Sequence, residues 1–509
     1  MNESKSRSKV TIPILETTVF ICGALVMIYE IVGSRLLAPY IGASTYVWTS
    51  LIGVILAALS LGYWLGGKLA DRKPEIKILA LVIFLAGGLV SLTILLNDLI
   101  LSQISKIALG LEIKSVIAAL LLFAPASILL GVVTPFAVKL KMSSLEDSGK
   151  TVGRLYALST VGSILGTFLA GFFLIPFVGT TRTLYIIGAS LILLSIFLAP
   201  FAFGRLNLTV LILFAFGIGI NEAKSYFLRQ THDFHDIDTE YSRVQIFTTV
   251  DAKSKKQIRA LAIDPHFFQS KMYLDSDELA SDYARFYHLI RHFKPDFQNT
   301  LLIGGAGYSY PKDYLKKYAE KQIDVVEIDA QMTEIAKKFF RLEENPRLKI
   351  FHEDGRIFLN NSDENKYDAV LMDAFGSLFT VPFQLTTIEV VEKINYTLKP
   401  DGVVIFNVGG AITGDASKFL QAELATYRKV FPRVLLFKVD SAKSDDELQN
   451  LIIIAIKEKN SALLFSNDAE FQPLLLNLYE KDLQIKAEVL TDEIAPVEYY
   501  NSFAQSSLR

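Results

Sequence analysis

Two rhythms of apolar and polar residues divide the chain. From Ile12 to about Ile220 apolar residues come in long runs; from about Asn221 onward short apolar stretches alternate with charged ones. A helix needs about 20 mostly apolar residues to cross some 30 Å of hydrocarbon. Seven runs qualify, at about 12–34, 46–67, 78–97, 115–138, 155–177, 183–203 and 206–220, the last of them short. Residues 99–112 carry Lys106 and read as an interfacial amphipathic helix. The first run follows Lys5, Arg7 and Lys9, as a signal peptide would. Glu16 interrupts it, however, and its length and lack of a small-residue cleavage pattern favour an uncleaved first span. Residues 1–220 are therefore expected to form an all-α multi-span membrane bundle.

The second half changes period. Residues 242–250 and 257–264 read as two strands around a polar turn, a β-hairpin subdomain within 238–275. A helix is expected at about 279–292. Strands at Thr300–Ile303, Ile323–Ile328, Leu348–Phe351, Asp368–Met372 and Val403–Asn407 alternate with helical segments, which implies a parallel sheet covered on both faces. Val434–Val439 and Leu451–Ile456 suggest a closing antiparallel pair. The fold expected for 276–460 is an α/β Rossmann-like sheet, with 461–509 as a C-terminal extension.

Composition narrows the function. The chain is 51% hydrophobic with a net charge of −2, which argues against a nucleic-acid partner. Its one cysteine, Cys22, permits no intramolecular disulfide and no cysteine-based zinc site. His266, His288 and His292 show no metal-ligand spacing, so no metal is expected. Lysines and arginines favour the N-terminus and the second, fourth and sixth loops, placing the N-terminus on the cytoplasmic face of a cell membrane. Seven spans then put the C-terminal half outside, whereas six or eight return it to the cytoplasm. Both counts stay open. Gly67–Lys73 also resembles a cytoplasmic loop motif of major facilitator transporters.

Within the apolar half, Gly62 to Gly66 and the stripe Gly162, Gly166, Ala170 suit close helix packing, inside one bundle or across a homodimer. Glu16 and Glu30 lie about four helical turns apart on one face. Pairing of Glu30 with Arg35 and interfacial reach for Glu16 is one reading; a cation path is the other.

In a doubly wound sheet, ligands bind at the carboxyl ends of the strands. There stand Gly304–Gly305–Ala306–Gly307, then Glu327 and Asp329, then Asp354–Gly355, then Asp373. Glycines let the backbone approach a ligand, and an acid about 20 residues later suits ribose hydroxyls. Helix capping explains Asp354 alone, but not the set.

Together these motifs resemble the aminopropyltransferase (spermidine synthase) family, in its membrane-fused branch. The resemblance is carried by Gln245, LAID at 261–264, Gln269, IGGAG at 303–307, VVEID at 325–329, EDGRIF at 353–358 and YDAVLMDAF at 367–375. YEIVGSRLLAPYIG at 29–42 and GRLYALSTVGSILGT at 153–167 extend it into the apolar half. The resemblance implies a site for decarboxylated S-adenosylmethionine lined by Gly304, Gly305 and Gly355. Glu327 would hold the ribose, Asp354 the adenine amino group, and Asp373 would deprotonate an attacking amine. Three positions depart from the family. Gly307 and Gly376 stand where acids are usual, and Val244–Gln245 replaces a Tyr–Gln pair. Gln245, Gln269, Tyr308, Tyr310 and Asp313 are candidates for a rebuilt amine pocket, and Asp492 and Glu493 are candidate neighbours. An S-adenosylmethionine methyltransferase and a non-catalytic transporter or sensor are the alternatives.

Overall fold

The computed structural model describes residues 12–107, 109–142, 148–199, 205–263, 267–374, 381–458 and 464–506. His266 and Gly376 lie outside the described residues. The chain divides after Gln230 into two compact units.

The first unit is all helical: α1 (Ile12–Ile41), α2 (Thr45–Arg72), α3 (Ile76–Lys106), α4 (Leu111–Leu122), α5 (Ala124–Lys141), α6 (Ser148–Leu169), α7 (Thr180–Leu198) and α8 (Arg205–His232). A π-helical segment, Ala170–Val178, continues α6. Seven of the described helices are long and apolar enough to cross a membrane, α4 being too short. Three boundaries differ from the expectation. Residues 99–106 form no separate interfacial helix but continue α3, whose apolar face keeps Leu101 and Ile104 buried. The run at 115–138 breaks at Phe123, because Pro125 opens α5 and has no N–H to continue the ladder. α8 runs twelve residues past Ile220, held to α3 by Asn221 on the Ile94 carbonyl and Lys224 on Asp98.

Small residues set the helix spacing. A Cβ on Gly162 would stand 2.1 Å from the Phe20 carbonyl oxygen, and one on Gly166 would stand 2.4 Å from that of Ala24. Gly62 meets the Ile128 carbonyl of α5 just as closely. Both stripes are thus occupied within one chain, which removes them as a homodimer face. Glu16 bonds Lys141 and Arg154, and Lys139 bonds Asp71 at 2.7 Å. These pairs tie α1, α2, α5 and α6 together at one end of the unit. The expected Glu30–Arg35 pair is not made: Glu30 is buried, with no partner among the described residues.

The second unit carries two sheets. β1 (His235–Asp238), β2 (Arg243–Val250), β3 (Gln257–Ala262) and β4 (Ser270–Tyr273) form an antiparallel sheet in that order. The expected hairpin is its centre; the flanking strands are four residues long and too polar to stand out. Its apolar face, with Val244, Ile246, Leu261 and Met272, packs on Met332, Ile335 and Phe339 of the helix Ala330–Phe339. The main sheet holds β5 (Asn299–Ile303), β6 (Gln322–Val326), β7 (Leu348–Phe351), β8 (Tyr367–Met372), β9 (Leu398–Gly410), β10 (Arg433–Lys438) and β11 (Gln449–Ile456). The order is β10-β11-β9-β8-β5-β6-β7. β5 to β9 pair in parallel, and β10 and β11 close the edge antiparallel. This is the Rossmann-like topology of methyltransferase-type folds. The connections leaving the adjacent strands β5 and β8 run in opposite directions, to β6 and to β9, so the crevice opens at the carboxyl ends of β5 and β8.

Gly162 tests the helical packing. Gly162→Leu drives a side chain into a backbone carbonyl that cannot rotate away, and overpacking of this kind costs about 1–3 kcal/mol or more. The full-length variant in detergent is expected to melt several degrees below wild type; an unchanged midpoint would show that α1 and α6 do not meet there.

Candidate active site

Four strands end in mutual register. The Gly304 N–H donates to the Val326 carbonyl, Glu327 N–H to Phe351, and Asp373 N–H to Ile303, each at 2.9 Å. β5, β6, β7 and β8 thereby deliver the glycine turn, Glu327, Asp354 and Asp373 to one edge. Gly304 has φ +100°, and a Cβ there would lie 2.7 Å from the Asp373 carbonyl oxygen. No other residue fits. Ala306 and Tyr308 also adopt left-handed backbone, at φ 45° and 53°, a strained choice for residues with a Cβ.

Glu327 holds that turn in place. Its Oε2 accepts the N–H groups of Gly305 at 2.8 Å and Ala306 at 3.0 Å, and its Oε1 accepts Asp329 N–H at 3.0 Å. Burial raises its pKa, while the three backbone donors pull it down. Asp329 caps the helix Ala330–Phe339 through Gln331 N–H, a structural task. Asp354 does two things. Its Oδ1 caps the short helix Gly355–Asn360 at Arg356 and Ile357, and its Oδ2 accepts from Gln384 at 3.2 Å. Gly355 sits on the end of β5, where a Cβ would be 2.8 Å from Ile303.

Asp373 is held by side-chain donors on both of its oxygens. Asn407 Nδ2 donates to Oδ1 at 3.1 Å, and the Tyr283 hydroxyl to Oδ2 at 3.3 Å. Asn450 in turn donates to Asn407 Oδ1 at 2.9 Å, fixing which way that amide points. Burial pushes the carboxyl up from its ordinary value near 3.8 to about 6, against the pull of these donors. A buried carboxyl raised toward neutrality has the chemistry to accept a proton near physiological pH.

The expected amine-pocket residues are scattered. Gln245 on β2 pairs across to Ala262, and Gln269 accepts the Ile263 N–H at 2.7 Å, so both lie at one end of the small sheet. Tyr308 is not a pocket residue: it is fully buried, with its hydroxyl 2.7 Å from Thr333 and its ring under Gly305. Tyr310 is buried against Tyr287. Asp313 pairs with His288 at 2.7 Å, and His288 also reaches Tyr318. At Gly307, where the resemblance implies an acid, a Cβ would be 2.5 Å from Ser270 Oγ. Asp492 forms a two-pronged pair with Arg356 at 2.7 and 3.0 Å, anchoring the tail beside Asp354, while Glu493 is exposed.

Comparison with known proteins decides what this edge belongs to. Residues 284–444 match the family model described as "Spermine/spermidine synthase domain". The chain carries a spermine/spermidine synthase domain. With it comes the transferase class. A polyamine aminopropyltransferase of Vibrio vulnificus is 29% identical over 216 residues, 40% of this chain and 70% of that one. One from Leptospira interrogans is 22% identical over 402 residues, covering 72% of this chain and 75% of the relative. One from Streptomyces coelicolor is 21% identical over 425 residues, with coverages of 78% and 76%. The last two alignments are longer than the whole C-terminal unit, so they reach into the helical half. Among solved structures, a probable spermidine synthase from Corynebacterium glutamicum aligns at TM-score 0.40 and 20% identity, over 51% of this chain and 91% of that one.

Sequence reasoning missed Tyr283, Asn407 and Gln384, the partners of the two acids in the synthase domain. Asn407 carried a signal, standing at the end of an expected strand. Tyr283 and Gln384 lie outside the strands and carried none.

Asp373 gives a stability test with a defined sign. Its raised pKa means the folded state binds the proton more tightly than the unfolded, so stability falls as pH rises from about 4 through 6. The ionised group costs roughly 2–3 kcal/mol at pH 8. Full-length Asp373→Asn is expected to melt about 5 °C above wild type at pH 8, with the gap closing near pH 4. A gap that persists at pH 4 would assign the effect to packing instead.

Proposed function

We propose that the C-terminal unit moves an aminopropyl group from decarboxylated S-adenosylmethionine to an amine such as putrescine, in a multi-pass protein of the cell membrane whose N-terminus is cytoplasmic. The observation that carries the reading is Asp373: a carboxylate raised to about 6, aimed by Asn407 and Tyr283, at the crevice beside the glycine turn. The family match supplies the transferase class. The seven long apolar helices support the membrane.

The acids fit the donor. A carboxylate offers about four acceptor positions. Glu327 uses three on backbone N–H groups, leaving one on Oε1 for a ribose hydroxyl. Asp354 likewise uses three, leaving one on Oδ2 for the adenine amino group. The sulfonium donor supplies its own leaving group. Asp373 accepts a proton from the amine as its nitrogen attacks the methylene carbon; the C–S bond breaks, and the thioether departs with the bonding pair. Placing the two reactants in line supplies most of the acceleration. A carboxylate also attracts the cationic amine electrostatically.

A second reading, methyl transfer from S-adenosylmethionine, is favoured by Gly307. The packing around Ser270 closes the place where the family's acid would stand near the aminopropyl end. Calorimetric titration of the full-length protein in detergent separates the two. Preference for the decarboxylated donor, reduced at least tenfold by Asp354→Ala, is expected; preference for S-adenosylmethionine would establish the methyltransferase, and binding of neither would refute both. With donor and putrescine supplied, kcat should fall about tenfold per pH unit below 6. Asp373→Asn should lower kcat by about 10²–10⁴-fold and remove that acid limb.

A further inference from the structure

Glu30 is the one charged residue buried in the helical unit among the described residues, with 8% of its surface exposed. It has no hydrogen-bond or ion-pair partner there. Glu16, Asp71 and Asp98 each have a cation. Depth follows from helix geometry. Glu16 and its two cations mark one end of the unit, and fourteen residues at about 1.5 Å each carry α1 roughly 21 Å further in. An intramembrane acid is expensive in that setting, and by default marks a proton or ligand route.

The packing around this level is distinctive. Nearer the Glu16 end, α1 and α6 touch backbone to backbone, through Phe20 with Gly162 and Ala24 with Gly166. Six residues past the second crossing, α1 reaches Glu30, and the parallel α6 reaches the π-helical segment, which packs on α1. π-Helical turns widen a helix locally and recur at functional sites. On the other flank α5 runs antiparallel to α1, from Lys141 beside Glu16 to Phe123 beside Gly33. That register brings Ser127 to the depth of Glu30, and the buried Ser127 hydroxyl oxygen also lacks a partner. One turn along α1, Ser34 is buried and donates to the Ile31 carbonyl, leaving its oxygen able to accept.

We propose that Glu30 anchors an organic-ammonium site inside the helical unit, holding one charged end of a linear polyamine. A carboxylate with one or two hydroxyls is too sparse for a hard metal ion, which wants six or more oxygens or retained water. An ammonium group needs only three acceptors. Val26 and Leu37, four residues before and seven after Glu30, share its helix face and are the apolar neighbours a methylene chain would meet. The choice of a polyamine rests on the function proposed for the C-terminal unit; the need of Glu30 for a cation does not. The helical half would then bind the same class of compound that the synthase domain consumes or makes.

The test uses full-length protein in lipid nanodiscs and equilibrium binding of radiolabelled spermidine, comparing wild type, Glu30→Gln and Asp373→Asn. Glu30→Gln is near-isosteric and removes a buried charge, so the helices are not asked to accommodate new volume. One class of spermidine sites should weaken at least tenfold in Glu30→Gln, survive in Asp373→Asn, and leave transferase turnover in Glu30→Gln unchanged. Wild-type binding by Glu30→Gln would overturn the proposal, as would Glu30-dependent binding of sodium ion in place of spermidine. A measurement needing no variant runs beside it. Dicyclohexylcarbodiimide modifies buried carboxyls, and peptide mass spectrometry locates the adduct. Spermidine should protect Glu30 at least fivefold; equal labelling with and without it would refute the site. Failure of turnover with these results intact would strike the proposed transferase and spare the membrane site.

Discussion

The synthase domain hangs on the closeness of two strand ends. β5 and β8 finish so near each other that Gly304 must take φ +100° and carry no side chain, while the Asp373 N–H is tied to the Ile303 carbonyl. Every other element of the edge is referred to that junction. Glu327 grips the N–H groups of Gly305 and Ala306, so the turn cannot relax out of its left-handed backbone. Gly355 rests on Ile303, which sets Asp354 at a fixed distance from the same strand. The geometry of the acids is thus a property of sheet register, not of loops that could drift.

That rigidity is what lets burial act on chemistry. An acid on a mobile loop would turn to water and keep an ordinary pKa. Asp373 cannot, because Asn407 and Tyr283 hold both of its oxygens and Asn450 holds Asn407. Desolvation then exceeds the help from its donors, and the carboxyl settles near 6. Glu327 meets the same penalty with three backbone donors and serves as a clamp. Two acids at strand ends on either side of β5 therefore meet the same burial with different hydrogen-bond partners.

The main sheet was legible because strands of the right period end in glycine and acid, and each of the seven expected strands is present within a few residues. The acids at their ends were legible for the same reason. What could not be read is whatever depends on the third dimension. Tyr308 follows a glycine turn and so looks like a ligand contact, yet the left-handed turn throws its ring under Gly305 and into the core. Asp313 and His288 look like loose polar residues and are each other's partners across 25 positions. β1 and β4 escaped because four residues with little alternation carry no periodic signal; they are strands only because β2 and β3 offer free edges. Residues 99–106 looked interfacial because of Lys106, but α3 had enough buried contacts to keep going.

Glu16 and Glu30 make the same point inside one helix. By sequence they are alike: acids in an apolar run, about four turns apart on one face. Tertiary structure separates them. Glu16 lies where α5 ends and α6 begins, and those ends bring Lys141 and Arg154 to it. Glu30 lies at the level where α6 has become π-helical and where the register of α5 brings Ser127, whose hydroxyl also lacks a partner. Cations of the chain neutralise the first; among the described residues none pairs with the second. Burial penalises a bare charge, so a carboxylate without a partner takes up a proton or a cation, and one residue type on one helix is an internal tie at Glu16 and the site proposed above at Glu30.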